Sequence, residues 1–184
     1  MLVQCCLPPN PCLAEGGRKL THVRSLPPNG WRLWRSLRLQ ALADSPDAFG
    51  STLEDAIQLA DCGWEELVSS SSSAERVLLV AEREGRPVGI ARVQFLDDRR
   101  SQADLFSVWV MPSERRLGVG RALVDSTIEW ARSKGASEIV LSVSERSNEA
   151  KRLYLSSGFV GTGSRERLRP GSSIYEDAMV LKLS

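Results

Sequence analysis

Val108-Trp109-Val110-Met111-Pro112-Ser113-Glu114-Arg115-Arg116-Leu117-Gly118-Val119-Gly120-Arg121-Ala122-Leu123-Val124 is the stretch on which the reading of this chain turns. It has the form of a strand that ends in a tight glycine-containing loop and runs straight into a helix. At a helix start about four backbone N–H groups lack an intrahelical partner and point outward. Glycines beside them remove the side chains that would hold a diphosphate away. Glycine inside a helix costs about 1 kcal/mol relative to alanine, so Gly118 and Gly120 need a reason. Close approach of a ligand is one, and close packing of helix on sheet is the other. Arg115, Arg116 and Arg121 add cations where the helix dipole disfavours them by roughly a few tenths of a kcal/mol. An anion among them removes that conflict; a solvated charged turn is the plainer alternative.

The rest of the composition narrows the field. A chain of 184 residues fits one domain with a sizeable core. A net charge of +1, with acids and bases mixed throughout, provides no global field for nucleic acid or an anionic membrane. Cys5, Cys6 and Cys12 sit in a proline-rich amino terminus and Cys62 stands alone, which is neither a disulfide framework nor a set of metal ligands. The one histidine, His22, supports neither a histidine-rich metal site nor a histidine-based triad. No run of about 18 apolar residues occurs and the start lacks a basic-then-apolar leader, so a soluble, cytoplasmic protein is expected.

Residues 1–20 combine prolines and glycines with little periodicity and are expected to form a flexible extension, leaving 21–184 as the folded domain. Thr21 to Leu26 suits an edge strand. Trp31, Trp34, Leu37, Ala41 and Leu42 recur at helical spacing, more in keeping with core than with cofactor contact, while Arg32, Arg35 and Arg38 fill much of the other face. A second helix is expected from Thr52 to Ala60, continuing after Gly63, and then a flexible serine loop over Ser69 to Ser73. Val77 to Ala81 and Val88 to Phe95 form a hairpin, Asp97 to Arg100 a charged turn, and Ala103 to Val110 a third strand that delivers the chain to the glycine loop. The helix from Val119 stops at Gly135. Glu138 to Val143 is the next strand, parallel to its predecessor because a helix crosses between them. Ser147 caps a helix over Asn148 to Ser156, closed by Gly158. Phe159 to Thr162 and Ile174 to Leu183 supply two last strands around a basic stretch, Gly163 to Ser173.

These blocks, in this order, resemble the GNAT N-acetyltransferase family. The resemblance spans roughly Thr21 to Leu183. It rests on Arg115-Arg116-Leu117-Gly118-Val119-Gly120 after Trp109-Val110-Met111-Pro112, followed at family-like distance by Asn148-Glu149-Ala150-Lys151-Arg152-Leu153-Tyr154 and Gly158-Phe159. It implies an α/β single domain with a mixed, twisted central sheet of six to seven strands flanked by about four helices. It also implies acetyl-CoA as acyl donor. The backbone of Val108 and Val110 is then expected to bind the pantetheine arm, in a slot where their strand splays from Glu138 to Val143. Arg115, Arg116, Leu117, Gly118, Val119, Gly120 and Arg121 correspond to the pyrophosphate cradle, Asn148 to a cofactor contact, and Tyr154 to the tyrosine near the thioester sulfur. Arg116 departs from the pattern, since many members have glycine there. If that position needs positive φ, arginine costs on the order of 1 kcal/mol.

The reaction so implied has its own demands. An alkylamine of pKa about 10.4 is neutral in only about one molecule in 2,500 at pH 7, a handicap of roughly 4.6 kcal/mol to attack. Asp104, six residues before Val110, occupies the separation at which some members place a catalytic glutamate. Strict alternation puts it on one face with Phe106, Val108 and Val110, and its short side chain favours a bridging water. A surface carboxylate closing a turn is the other reading, and Glu145 is a competing proton acceptor. The Val110 N–H is the expected donor to the carbonyl oxygen, and Tyr154 the donor to the departing thiolate. Cys62 is not expected to act as a nucleophile. The acceptor is expected to be a small molecule or a protein amino group, with Arg165, Arg167 and Arg169 suited to an anionic one if they are not simply solvated. Monomer and homodimer both remain open, as do a longer acyl donor and an acyl-CoA-binding sensor with little catalysis.

Overall fold

Val77 to Ala81 is an unbroken apolar run because its strand is covered on both faces. Val77, Leu79 and Ala81 face one buried cluster, and Leu78 and Val80 face the other. The structure, a computed structural model, describes residues 20–70, 75–96 and 101–183, so the expected extension before Leu20, most of the serine loop and the 97–100 turn lie outside the described residues. Within them the chain runs β1 (Thr21–Ser25), α1 (Trp31–Asp44), a short 3₁₀ turn (Pro46–Ala48), α2 (Leu53–Gln58), α3 (Asp61–Ser69), β2 (Arg76–Arg83), β3 (Arg86–Phe95), β4 (Gln102–Val110), a second 3₁₀ turn (Pro112–Glu114), α4 (Val119–Ser133), β5 (Glu138–Ser144), α5 (Asn148–Ser156), β6 (Val160–Arg167) and β7 (Tyr175–Lys182). One seven-stranded mixed sheet results, ordered β1-β2-β3-β4-β5-β7-β6, with β4 and β5 parallel and the other neighbours antiparallel.

Helices α1 to α3 cover β2 to β4 on one face, where Trp34, Leu37, Leu42, Trp64 and Val68 pack on Leu78, Val80, Ile90 and Trp109. The tryptophans of α1 are therefore core, as their spacing indicates. On the opposite face α4 and α5 bury Val119, Leu123, Val124 and Tyr154 against Val93, Leu105, Ile139, Leu141 and Met179. Among the described residues no helix is long and apolar enough to cross a membrane.

Two element boundaries differ from the sequence expectation. The second helical segment is two helices, α2 and α3, because Leu59 and Ala60 are extended (ψ 120° and 159°). Thr52 caps α2 by accepting from the Asp55 N–H at 3.1 Å, and Asp61 places a negative charge in the first turn of α3. The first part of the stretch expected as a loop after Thr162 is strand, since β6 continues to Arg167 by pairing with β7, and only the remainder, up to Ile174, connects the two strands.

Candidate active site

The strands β4 and β5 pair only over Gln102–Asp104 with Glu138–Val140. Beyond that point β5 stays with β7 while β4 follows β3, so a wedge opens between them toward their carboxyl ends. A bulge contributes to the divergence. Arg92 faces Phe106 and Ile90 faces Trp109, so Ser107 and Val108 together oppose Ala91, and Ser107 takes the left-handed conformation at φ 57°.

The bulge corrects the expectation that Asp104, Phe106, Val108 and Val110 share a face. Val108 and Val110 pack on the α4 side, whereas Trp109 joins the α1 side. Ala103 and Leu105 are also on the α4 side, so Asp104 and Phe106 point to the α1 side. One inserted residue has reversed the alternation. Asp104 is the last β4 residue paired with β5, 8% exposed, at the apex of the wedge. Farther along, the Met111 N–H donates to the Val88 carbonyl at 2.8 Å. Alternation then turns the Val110 main chain toward the other edge, where its carbonyl accepts from Arg115 Nε at 3.0 Å and its N–H faces the wedge.

The glycine loop ends at this mouth. Gly118, at φ 86°, is the N-cap of α4, which receives no side-chain capping bond. A Cβ added at Gly118 would meet nothing within 4 Å, whereas one at Gly120 would lie 3.1 Å from Leu153 Cδ2 and 3.8 Å from Val110 Cγ2. The two glycines thus have different reasons: open backbone at the first, close packing at the second. Val119 between them is buried, and Leu117 is exposed.

Arg116 does adopt positive φ, at 61°. A left-handed non-glycine residue costs about 1–2 kcal/mol, part of which glycine's greater unfolded-state entropy offsets. Arg116→Gly is therefore expected to raise stability by up to about 1 kcal/mol and the melting midpoint by about 2–4 °C. A lower midpoint on thermal unfolding would mean that the arginine side chain holds the loop.

The arginines around the loop are not equally available. Arg115 is in an ion pair with Asp44 at the end of α1, in addition to its bond to Val110. Arg121 bonds Asp125 at 2.9 Å and the Ser156 carbonyl at 3.0 Å, tying α4 to α5. Arg116 is exposed. Asp44 also accepts from Trp109 Nε1 at 2.9 Å, so one carboxylate fixes both the loop and a core indole. Burial on its own would raise the Asp44 pKa, but hydrogen bonds from Ser45, Trp109 and Arg115 and the charge of Arg115 hold it below the usual carboxylate range. Its stabilisation is present above the unfolded pKa of about 3.9 and is lost as pH falls through the lower folded value. Asp44→Ala leaves the Trp109 N–H without its acceptor, at about 1–3 kcal/mol. A fall in melting midpoint of about 2–4 °C per kcal/mol at neutral pH is expected, shrinking toward pH 3; an unchanged midpoint counts against the anchor.

At the other side of the wedge, Ser147 is the N-cap of α5, without a side-chain capping bond, and Asn148 is exposed in the first turn. Tyr154 is 7% exposed and packs on Phe159 at 5.7 Å between ring centroids. Burial pushes its phenol well above the ordinary value. Glu145 is committed elsewhere, paired with Arg165 and accepting from the Tyr175 N–H at 3.1 Å. Arg167 donates to the Ser172 carbonyl at 2.6 Å and Arg169 to the carbonyls of Pro46 and Phe49, so these two guanidiniums are held by main-chain oxygens and only Arg165 has an acidic partner among the described residues. Glu176, which sequence reasoning missed, is raised in pKa by burial and by Glu166, against a hydrogen bond from Ser142. On the α1 side of the bulge lies a cavity of about 250 Å³ that includes Ser107, Arg92 and Arg38.

Comparison with known proteins gives three kinds of match. The family model described as Acetyltransferase (GNAT) family matches residues 36–159. The chain is 32% identical over 157 residues to a mycothiol acetyltransferase of Thermobispora bispora, covering 82% of this chain and 49% of that one. It is 31% identical over 121 residues to the ribosomal protein bS18-alanine N-acetyltransferase of Escherichia coli K12, covering 65% and 80%. The chain thus spans about half the length of the first relative. Among solved structures, an acetyltransferase of the GNAT family from Streptococcus pneumoniae superposes with a TM-score of 0.74 at 25% identity, covering 90% of this chain and all of that one.

Proposed function

This chain belongs to the acetyltransferase (GNAT) family, and from that premise we propose that it moves an acetyl group from acetyl-CoA to a primary amine by direct attack on the thioester. The observation that carries the reading is the wedge between β4 and β5 adjoining a helix start with open backbone at Gly118. A diphosphate fits that start, because the uncapped amides of Gly118, Val119, Gly120 and Arg121 supply donors and no Cβ stands in the way at Gly118. Arg116 adds positive charge at the rim, and Leu117 and Asn148 are exposed beside it. Val108 and Val110 line the wedge with main chain. Acetyl-CoA supplies an activated acyl carbon there.

In this reading the new C–N bond forms as the C–S bond breaks. The Val110 N–H donates to the carbonyl oxygen as negative charge develops on it. Tyr154, kept neutral by burial, donates toward the leaving sulfur. The proton lost by the amine passes along a chain of waters toward Asp104, which sits at the apex of the wedge. The bulge supports this assignment, since it places the carboxylate on the same face as the cavity where an acceptor has room.

The test is an acceptor screen that follows free thiol release from acetyl-CoA with polyamines, amino acids, aminoglycosides and short peptides, beside calorimetry of CoA binding. Amine-dependent thiol release is the expected result. CoA binding with no release for any amine favours an acyl-CoA sensor, and absence of CoA binding sinks the proposal.

A further inference from the structure

The cavity beside the β4 bulge is lined by Trp34, Leu42, Trp64 and Leu67, with the side chains of Arg38 and Arg92 among these apolar walls. Three donor atoms of its lining residues are shielded from solvent and without a hydrogen-bond partner: Arg38 Nη1, Arg92 Nε and the indole Nε1 of Trp64, a residue only 3% exposed. Among the described residues neither arginine is in an ion pair. Arg38 makes one side-chain bond, to Ser51 Oγ at 3.2 Å. Instead of carboxylates the guanidiniums have aromatic neighbours: Arg38 lies 4.3 Å from the Phe49 ring centroid and Arg92 4.8 Å from that of Phe106.

The charge arrangement is unfavourable as it stands. Burial, reinforced by Arg92, lowers the Arg38 pKa to about 10; burial and Arg76 lower that of Arg92. The one acid on the lining, Asp55, is exposed at the rim, where it accepts from Thr52 Oγ1 at 2.6 Å in the cap of α2. Half-buried cations with no counter-charge among the described residues are destabilising, and an anion placed between them relieves both desolvation and mutual repulsion. Guanidinium edges match the planar fork of a carboxylate. The apolar walls suit an organic body more than a free inorganic ion.

We propose that this cavity binds a carboxylate carried by the acceptor, so that the substrate class is an amine bearing a carboxylate on the same molecule. Naming the acceptor in this way rests on the acetyl-transfer reading above; binding of a carboxylate at Arg38 and Arg92 does not. Ser107 lines the cavity and Val110 is three residues along the same strand, about 10 Å at roughly 3.3 Å per residue, which limits the separation of the two groups. The same cations act on the amine. Positive charge nearby disfavours the ammonium form, and the neutral form is the nucleophile.

The test uses the full chain and two isosteric probes, phenylacetate and phenylacetamide, with calorimetry of acetyl-CoA binding in the same samples. Probe binding is followed by calorimetry and by intrinsic tryptophan fluorescence, to which Trp34 and Trp64 of the cavity wall contribute. Phenylacetate is expected to bind saturably and at least tenfold more tightly than the amide. Arg92→Met and Arg38→Met, which keep much of the apolar stem, are each expected to weaken phenylacetate at least tenfold, to leave acetyl-CoA affinity within twofold, and not to lower the melting midpoint. A purely structural arginine would instead lower the midpoint and leave the preference between the probes intact. Equal binding of acid and amide, undiminished phenylacetate binding in both variants, or equally tight competition by inorganic phosphate overturns the proposal. Phenylacetate binding without acetyl-CoA binding leaves the carboxylate site standing and removes the acetyl-transfer reading.

Discussion

Tyr154→Phe is expected to lower turnover by about a hundredfold while leaving acetyl-CoA affinity within about twofold. General acid catalysis contributes about 10²–10⁴ in rate, and the lower end suits a donor assisting a thiolate that is already a good leaving group. The phenol is held above its ordinary pKa by burial alone, with no charged partner behind the shift, so it remains a neutral donor through the working range. Its contribution to stability is intact below the unfolded pKa of about 10 and is lost only in more alkaline solution, so a basic limb of the rate profile below pH 10 belongs to another group. The substitution is a clean one. The ring remains packed against Phe159 at 5.7 Å, and loss of the hydroxyl removes no group from the buried cluster. Steady-state turnover beside calorimetric affinity decides the matter, because a packing defect would move both and a lost proton donor moves only the first. Equal turnover in the phenylalanine variant removes Tyr154 from the chemistry.

The parts of this molecule that could be read in advance are those whose cause is local. The glycine loop, the helix that follows it, and the closing glycines Gly135 (φ 82°) and Gly158 (φ 93°) all follow from residues within a turn of one another, whereas the positive φ at Arg116 was raised only by the family resemblance. The bulge at Ser107 does not. Gln102 to Val110 contains no glycine or proline to mark it, and the extra residue exists only because β3 offers one position where β4 offers two. Reading the strand as strictly alternating therefore put Asp104 on the wrong face. The second half of strand β6, beyond the expected end at Thr162, was hidden for a related reason. All eight residues of β6 are exposed, so no apolar alternation announces it, and it is a strand by virtue of β7 alone. Arg38 belongs to an arginine-rich helix face that suggests solvent, and Arg92 to an otherwise apolar strand. Only the packing of α1 over β3 brings them together, with no counter-charge among the described residues.

At the cradle itself, Gly118→Glu is expected to weaken acetyl-CoA at least a hundredfold. Two separable effects contribute. Any side chain at φ 86° carries backbone strain of about 1–2 kcal/mol, which acts on folding and on loop shape. A carboxylate there adds repulsion: at about 5 Å and an effective dielectric near 20, each like-charge contact with a diphosphate costs about 3 kcal/mol. Gly118→Ala isolates the first effect, because its added Cβ meets nothing within 4 Å of protein. A melting midpoint lowered by a few degrees, with at most about tenfold loss of affinity, is the expected result for alanine. Gly120→Ala is the complementary control, displacing Leu153 by a few tenths of an ångström while leaving the loop amides in place. If calorimetry finds that the glutamate variant, folded by its melting profile, binds acetyl-CoA as tightly as the alanine variant, the diphosphate does not lie against the start of α4. The wedge between β4 and β5 must then be filled from another direction.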